Sequence, residues 1–474
     1  MASNPLVPSW LDLAADPNLL DPKLWPRDAE RNAEGELKIG GIAVSDLASQ
    51  FGTPLYVISE GEFRARLREL ETDFAGSGAA HGIQCKLYFA AKSLLTVDIA
   101  RWIAEAGWSL DVATGGELAV ALASDFPTER IGLHGNNKSL QEISRAVAAG
   151  VGSVVIDSEI EIERIAAVAS ALQRVQPVRL RVNVGVHAHT HEYLATASED
   201  QKFGVSLSKV EQLVAAIRSH ASLQFLGLHA HIGSQIFAVD GFLEAADRLL
   251  QLHAKLLKTG PVPELNLGGG FGVAYLSSDQ PLPTAEFAKQ IIQSVRSKAL
   301  ELGIDPPNLA FEPGRALSAV AGVTLYNLGT VKDVEVTADA NGSALSSPAY
   351  RKYLSVDGGM SDNIRPALYG ADYSVTLASR TSAHPAELVR VVGKHCESGD
   401  VLVWNALLPG DVAPNDLLAV PVTGAYCFSL SSNYNYLPKP ALVSVKSGRA
   451  ELLVRAETEA DLLLRDQGAK RKET

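Results

Sequence analysis

Eight short, apolar, β-branched runs recur between residues 86 and 315. They are LYFAAK (87–92), SLDVAT (109–114), IGLHGN (131–136), SVVIDS (153–158), VRLRVN (178–183), FLGLHAHIG (225–233), ELNLGGG (264–270) and LAFEPGR (309–315). Stretches of helical period separate them, such as TVDIARWIAEAG (96–107) and LQEISRAVAAG (140–150). Several of these end in the glycine that supplies a left-handed helix cap. Strands alternating with helices make parallel βαβ units, since a parallel neighbour needs a crossover long enough to hold a helix. Eight such units close into a TIM (β/α)8 barrel of about 250 residues; the other arrangement open to this pattern is a doubly wound open sheet. Polar run ends favour the barrel. The runs finish on Lys92, Asp111, His134, Asp157, Asn183, His231, the glycines at 268–270 and Glu312. In a barrel those C-terminal strand ends meet at one mouth, where sites are built. Taken singly, His134 or Asp157 reads equally well as a cap or turn residue; the repetition points to a site.

The texture changes near residue 318. GVTLYNLGTVKDVEV, YLSVDGG, LVRVVG, DVLVWN, DLLAVPVTGAY and ALVSVKSGRAELLVR are strand-like and punctuated by glycine, proline, aspartate and asparagine. These runs predict a C-terminal antiparallel β domain. The domains expected are a barrel over 59–317 and a β domain over 318–474. Residues 30–58 also read as strand material and are expected to join the β domain. TADANGSALSSPAY (337–350) reads as a surface loop.

Composition excludes several classes. Acidic residues outnumber basic ones, 54 to 42, for a net charge of −12, against the basic surface that nucleic-acid binding needs. An anionic ligand is still allowed, because a local basic cluster can oppose the overall field. Three cysteines, Cys85, Cys396 and Cys427, have no metal-ligand spacing and fit a reducing compartment better than a disulfide framework. The N-terminus lacks the basic start and apolar run of a signal peptide. The longest uncharged window, 220–239, carries His220, His229, His231, Gln224 and Gln235, a poor membrane span. A cytoplasmic protein without membrane or nucleic-acid partners is expected.

The run ends also carry chemistry. ELNLGGGFG (264–272) puts glycines just beyond a strand, where backbone N–H groups can approach a phosphate. It is not the dinucleotide fingerprint, which needs glycine where Val273 stands, nor a P-loop; a plain tight turn is the alternative. HAHIGSQ (229–235) offers His231 and Ser234, and FEPGR (311–315) offers Glu312 and Arg315. The loops after strands seven and eight often form phosphate sites in barrels. A buried lysine is expected to face them from the end of the first run. Lysine, phosphate site and carboxylate in one barrel suggest pyridoxal 5'-phosphate: the cofactor bonds to a lysine amine and needs an acidic partner at its ring nitrogen. Lys92 sits among Tyr88, Phe89, Ala90 and Ala91, and apolar surroundings favour the neutral, nucleophilic amine. A lysine snorkelling from a strand end is the alternative.

YFAAK, DVATGGEL, HAHIGSQ, LNLGGGFG, EPGR, VDGGM, RPALYG, GKHCESGD and GAYCFSLSSNYN together resemble the diaminopimelate decarboxylases. These belong to the barrel-type pyridoxal-phosphate decarboxylases, with the ornithine and arginine enzymes. The resemblance runs from roughly residue 30 to 460 and implies a role for each matching residue. Lys92 would carry the cofactor, His231 would stack on its ring and Glu312 would pair with the ring nitrogen. Asp111, Ser234, Gly269, Gly270, Pro313, Gly314, Arg315 and Tyr426 would complete the cofactor site. The family's β domain lends its GKHCESGD loop to the neighbouring subunit. Cys396 would therefore be a proton donor, Glu397 a contact to the substrate amine, and the assembly a homodimer with shared sites. By composition alone Cys396 is an unremarkable thiol.

RPALYG (365–370) resembles the segment lining the far end of the substrate. The resemblance implies that Arg315, Arg365, Tyr369, Glu397 and Tyr426 would form the substrate-binding set; guanidinium meets carboxylate in bidentate fashion. Diamine-producing relatives tend to carry Tyr-Asp where this chain has Tyr369-Gly370, so a substrate with a distal carboxylate is favoured. That implies decarboxylation of meso-2,6-diaminopimelate to L-lysine and CO2, the last step of lysine biosynthesis. The alternatives are a decarboxylase of ornithine, arginine or lysine, and a non-catalytic regulatory homologue. His187, His189 and His191 alternate as a metal cluster could, but a polar loop over the barrel mouth is the preferred reading, and no metal is expected.

Overall fold

The computed structural model describes residues 4–11, 16–186, 201–338 and 344–469. The chain divides into two compact units. One comprises Arg64–Val273 and Gln280–Leu317, the other Met1–Phe63, Ala274–Asp279 and Ser318–Thr474. The six residues Ala274–Asp279 thus interrupt the first unit and belong to the second. Among the described residues no helix is long and apolar enough to cross a membrane.

The first unit is a closed parallel barrel. Its strands are β1 (Cys85–Ala90), β2 (Ser109–Val112), β3 (Ile131–Leu133), β4 (Ser153–Ile156), β5 (Gln176–Asn183), β6 (Leu223–His229), β7 (Glu264–Asn266) and β8 (Asn308–Phe311). They pair in chain order, and β8 closes on β1 with Leu309 opposite Cys85. All eight runs form strands, and each pairing is parallel. Local chemistry sets the helices between them. Ser139 and Glu142 form a capping box at the start of Leu140–Ala149, and Gly150 ends that helix at φ 75°. Thr96 and Thr114 cap the two helices before it. The helix Glu60–Ala80 precedes β1 and packs Phe74 on Phe311 of β8, with ring centroids 4.4 Å apart. Phe242, Phe271 and Phe287 extend this aromatic core.

Inside the barrel, side chains alternate with period two, and the inward set is unusually polar. Register places Arg179 beside Gly227 and Glu264, then Arg181 beside His229 and Asn266 one layer nearer the mouth. Arg179 donates to Glu264 Oε1 (2.6 Å), the Tyr88 hydroxyl (2.9 Å) and the Ser153 hydroxyl. A buried guanidinium is tolerated when its donors are occupied in this way.

The second unit is built on one large sheet, in the order Val401–Pro409, Ala386–Val392, Ala344–Val356, Gly322–Ala338, Leu55–Ser59, Ala441–Lys446 and Arg449–Val454. Pairings are antiparallel except two: Ala344–Val356 runs parallel to Ala386–Val392, and Leu55–Ser59 parallel to Ala441–Lys446. Two expectations change here. Residues 44–51, expected as strand, form the helix Val44–Phe51, burying Val44 and Leu47 and stopping at Gly52 with φ 78°; an apolar spacing of three outweighs the β-branched content. Residues 344–350, expected as loop, are strand: Tyr350 stands opposite Glu335 and Ala344 opposite Ala338. Cross-strand pairing along a long hairpin overrides the serine-rich composition.

Candidate active site

Glu312 follows β8 directly and is buried at the barrel mouth. Asn266, the last residue of β7, donates from Nδ2 to its Oε1 at 2.8 Å. His229, the last residue of β6, places Nε2 3.2 Å from the same carboxylate. His134, just past β3, stands 3.5 Å from Glu312 and 3.5 Å from Asp111 of β2. Two buried carboxyls therefore face one imidazole, and their surroundings drive them apart. Burial alone would raise Glu312, but His229 and His134, with the His229 hydrogen bond, outweigh it and hold this carboxyl well below the usual range. Asp111 moves oppositely: burial, then the charge of Glu312, lifts it well above the usual range. The two carboxyls are thus driven in opposite directions, Glu312 toward the ionised form and Asp111 toward the protonated one. The other ambiguous run end, Asp157, is tied to the Gly204 N–H (3.1 Å) and to Arg181 (3.8 Å), a structural role.

His231 is half-buried, and burial together with the charges of Lys92 and Arg181 pushes it well below the usual histidine range. Its Nδ1 accepts the Gly269 N–H at 3.3 Å, so the neutral ring carries its proton on Nε2. Lys92 occupies the 3-10 turn Ala91–Ser93 after β1. The expectation of a buried lysine is corrected: Ala91 and Ser93 are buried, whereas the Lys92 side chain is exposed. The small residues on either side take the buried places of the turn. The Lys92 charge still acts on Asp111, Glu117, His231 and Glu312.

The turn at Pro313-Gly314 sits against the Lys92 turn. Ala90 donates to the Pro313 carbonyl at 3.4 Å, and a side chain on Gly314 would come within 3.0 Å of Ala90 and Ser93. Arg315, buried, donates to Ser234 Oγ at 2.8 Å, joining the loops after β8 and β6. The glycine loop lies between: a Cβ at Gly269 would stand 2.0 Å from the Glu312 carbonyl, and one at Gly270 2.3 Å from the Gly233 carbonyl. Gly269→Ala must push β7 and β8 apart at the mouth. It is expected to weaken cofactor binding by about 10–100-fold, matching the cost of overpacking; titration of the cofactor-free chain checks it. Guanidinium, hydroxyl and glycine loop suit a phosphate, and an ionised carboxylate in a dry setting suits a protonated ring nitrogen. The residues present therefore fit pyridoxal phosphate.

Arg365, Tyr369, Cys396, Glu397 and Tyr426 lie in the second unit. Arg365 opens the helix Arg365–Tyr369 and is buried, its guanidinium 4.5 Å from the Tyr275 ring centroid and donating to the Tyr373 hydroxyl. These tyrosines raise its pKa further despite burial. Tyr369 is half-buried at the end of that helix, and Tyr426 is half-buried with φ 63°. Cys396 and Glu397 are exposed on a tightly held loop. Asp400 accepts from Met360 N (2.6 Å) and His395 N (2.8 Å), and His395 Nε2 meets Ser361 Oγ at 2.8 Å.

Asp362, in the adjoining segment, is fully buried, and burial pushes its carboxyl up to about 7. The folded chain then keeps a proton that the unfolded chain releases near pH 4. Stability from this group falls as pH rises from about 4 to about 7, at about 1.4 kcal/mol per pH unit. Asp362→Asn is expected to flatten that fall, read by urea unfolding across the range.

Sequence reasoning missed Asn266, His229 and Arg181. The signal was present in HAH and ELN: residues two apart on a strand share a face, so those inward of His231 and Gly268 point into the barrel. His187, His189 and His191 lie outside the described residues. Among the described residues, the grouping with metal-ligand spacing is His134, His229 and Glu312.

Residues 60–319 match the family described as "Pyridoxal-dependent decarboxylase, pyridoxal binding domain". The diaminopimelate decarboxylase of Mycobacterium bovis is 50% identical over 452 residues, 94% of this chain and 98% of that protein. That of Bacillus subtilis is 40% identical over 442 residues, 92% of this chain and 97% of its own length. The crystal structure of the M. jannaschii diaminopimelate decarboxylase in complex with L-lysine superposes with a TM-score of 0.85 at 30% identity, covering 94% of this chain and 98% of that one.

Proposed function

Since the chain belongs to the diaminopimelate decarboxylase family of pyridoxal-dependent decarboxylases, we infer that it converts meso-2,6-diaminopimelate to L-lysine and CO2, the last step of lysine biosynthesis. The observation that carries the chemistry is Glu312, kept ionised in a buried setting at the barrel mouth. When bound, pyridoxal phosphate supplies an electron sink for the bond that breaks as CO2 leaves. The chain supplies everything around it. Lys92 Nζ would hold the cofactor and move protons at that nitrogen. Glu312 would keep the ring nitrogen protonated, and the neutral ring of His231 would stack on the cofactor ring. Ser234, Gly269, Gly270, Pro313, Gly314 and Arg315 would hold the phosphate end, and Asp111 and Tyr426 would complete the cofactor set.

Arg365, Tyr369 and Arg315 are assigned to the distal carboxylate of the substrate. Tyr275 and Tyr373 pin the Arg365 guanidinium, which limits the entropy lost on binding. The working assembly is a homodimer, in which Cys396 of the partner subunit protonates the carbon that lost CO2 and Glu397 of the partner subunit holds the substrate amine. The cytoplasm is its proposed location, as a thiol donor must stay reduced; no disulfide joins Cys85, Cys396 and Cys427.

A substrate panel tests this. With added pyridoxal phosphate, CO2 and L-lysine are expected from meso-diaminopimelate and none from ornithine, arginine or lysine. Release from ornithine but not diaminopimelate overturns the substrate. No release from any, with no borohydride-fixed cofactor on Lys92, replaces the enzyme with a binding homologue.

A further inference from the structure

We propose that Asn266 and His229 are positioning residues for Glu312, neutral donors that aim its carboxylate at the cofactor's ring nitrogen without cancelling its charge. The proposal rests on the reading that Glu312 meets that nitrogen. Both amide ends of Asn266 are committed: Nδ2 donates to Glu312 Oε1 and Oδ1 accepts the Gly268 N–H, each at 2.8 Å. The backbone closes the circuit, since Glu312 N donates to the Gly268 carbonyl at 2.9 Å. The amide cannot flip without losing both contacts, so the carboxylate it holds cannot turn either.

His229 is 1% exposed. Its Nε2 faces Glu312, while among the described residues Nδ1 has no hydrogen-bond partner. A second ring proton would leave a bare N–H in a dry interior, so the imidazole stays neutral and donates from Nε2. Burial acts the same way on this ring and outweighs the opposing pull of Glu312. A lysine or arginine at either place would neutralise Glu312 and compete with the ring nitrogen for it. An amide and a neutral imidazole stabilise the anion and leave its full charge for the ligand.

The test uses the full chain stripped of cofactor. It is titrated with pyridoxal phosphate and with the analogue whose ring nitrogen is replaced by C–H. Asn266→Ala and His229→Leu are expected to weaken pyridoxal phosphate by about 10-fold or more, the range for a lost hydrogen bond to a charged group, and the C–H analogue by less than about 2-fold. His229→Gln, which keeps an N–H donor, should recover most of the difference. Should Asn266→Ala fail to fold, Asn266→Asp, of equal size but acidic, is expected to discriminate the two ligands likewise. Equal weakening of both ligands overturns the proposal, for the residues then act through packing alone. Glu312→Gln separates the two levels. If it too ignores the ring nitrogen, the pairing of Glu312 falls; if it discriminates and the other variants do not, only the positioning role falls.

Discussion

Lys92→Ala is expected to lower turnover of meso-diaminopimelate by at least about 10^4-fold, the upper end of what one positioned proton-transferring side chain contributes. The loss is larger than for any other single side chain because one amine serves binding, exchange and proton transfer. Two other lysines of the barrel are already engaged. Lys138 is buried, with Nζ bonded to the Gly135 and Val155 carbonyls and to Glu161. Lys86 lies over the Tyr88 ring at 5.0 Å. Borohydride treatment followed by mass spectrometry should find the cofactor fixed to Lys92 in the parent chain and nowhere in the variant. Ethylamine added to the variant should restore part of the rate, since the turn Ala91–Ser93 keeps its packing. A variant that retained a lysine-linked cofactor and full turnover would falsify the assignment.

Mixing two inactive chains should produce activity. Cys396→Ala is expected to lose on the order of 10^2–10^4-fold as a missing proton donor. If each site takes Lys92 from one subunit and Cys396 from the other, a mixed dimer of Lys92→Ala and Cys396→Ala chains holds one doubly damaged site and one intact site. Random exchange makes about half of the dimers mixed, so about a quarter of parental activity should return. If both residues of a site come from one chain, no intact site forms and nothing returns. The loop makes this a clean experiment: Cys396 is exposed, and the loop's anchors are His395 and Asp400, so removing the thiol leaves the loop's hydrogen bonds in place.

Much of the barrel was legible in the residues. Strand period and strand ends are local properties, and a polar residue closing one apolar run after another marks a mouth before any coordinates exist. The same locality explains the misreadings. VSDLASQF reads as strand from its neighbours and folds as helix because Val44 and Leu47 find burial one turn apart. Lys92 looked buried because its neighbours are apolar, yet those neighbours turn inward and leave it exposed. The residues proposed for the site from the β domain were legible only through resemblance, since a single cysteine or arginine on a β segment has no periodic signature.

By itself, then, the sequence determined the eight strand–helix units, the change to a β domain near residue 318, and the family to which the motifs belong. Only the tertiary structure decided what the polar run ends do to one another. Asn266 and His229 reach Glu312 across 46 and 83 residues of chain. His229 and His134 outweigh burial and lower the Glu312 carboxyl, while burial and the charge of Glu312 raise that of Asp111. A carboxyl's charge state is set by burial and by partners brought close in space. Neither is a local property of the chain, so two acidic run ends that look alike in sequence are shifted in opposite directions only once the barrel closes.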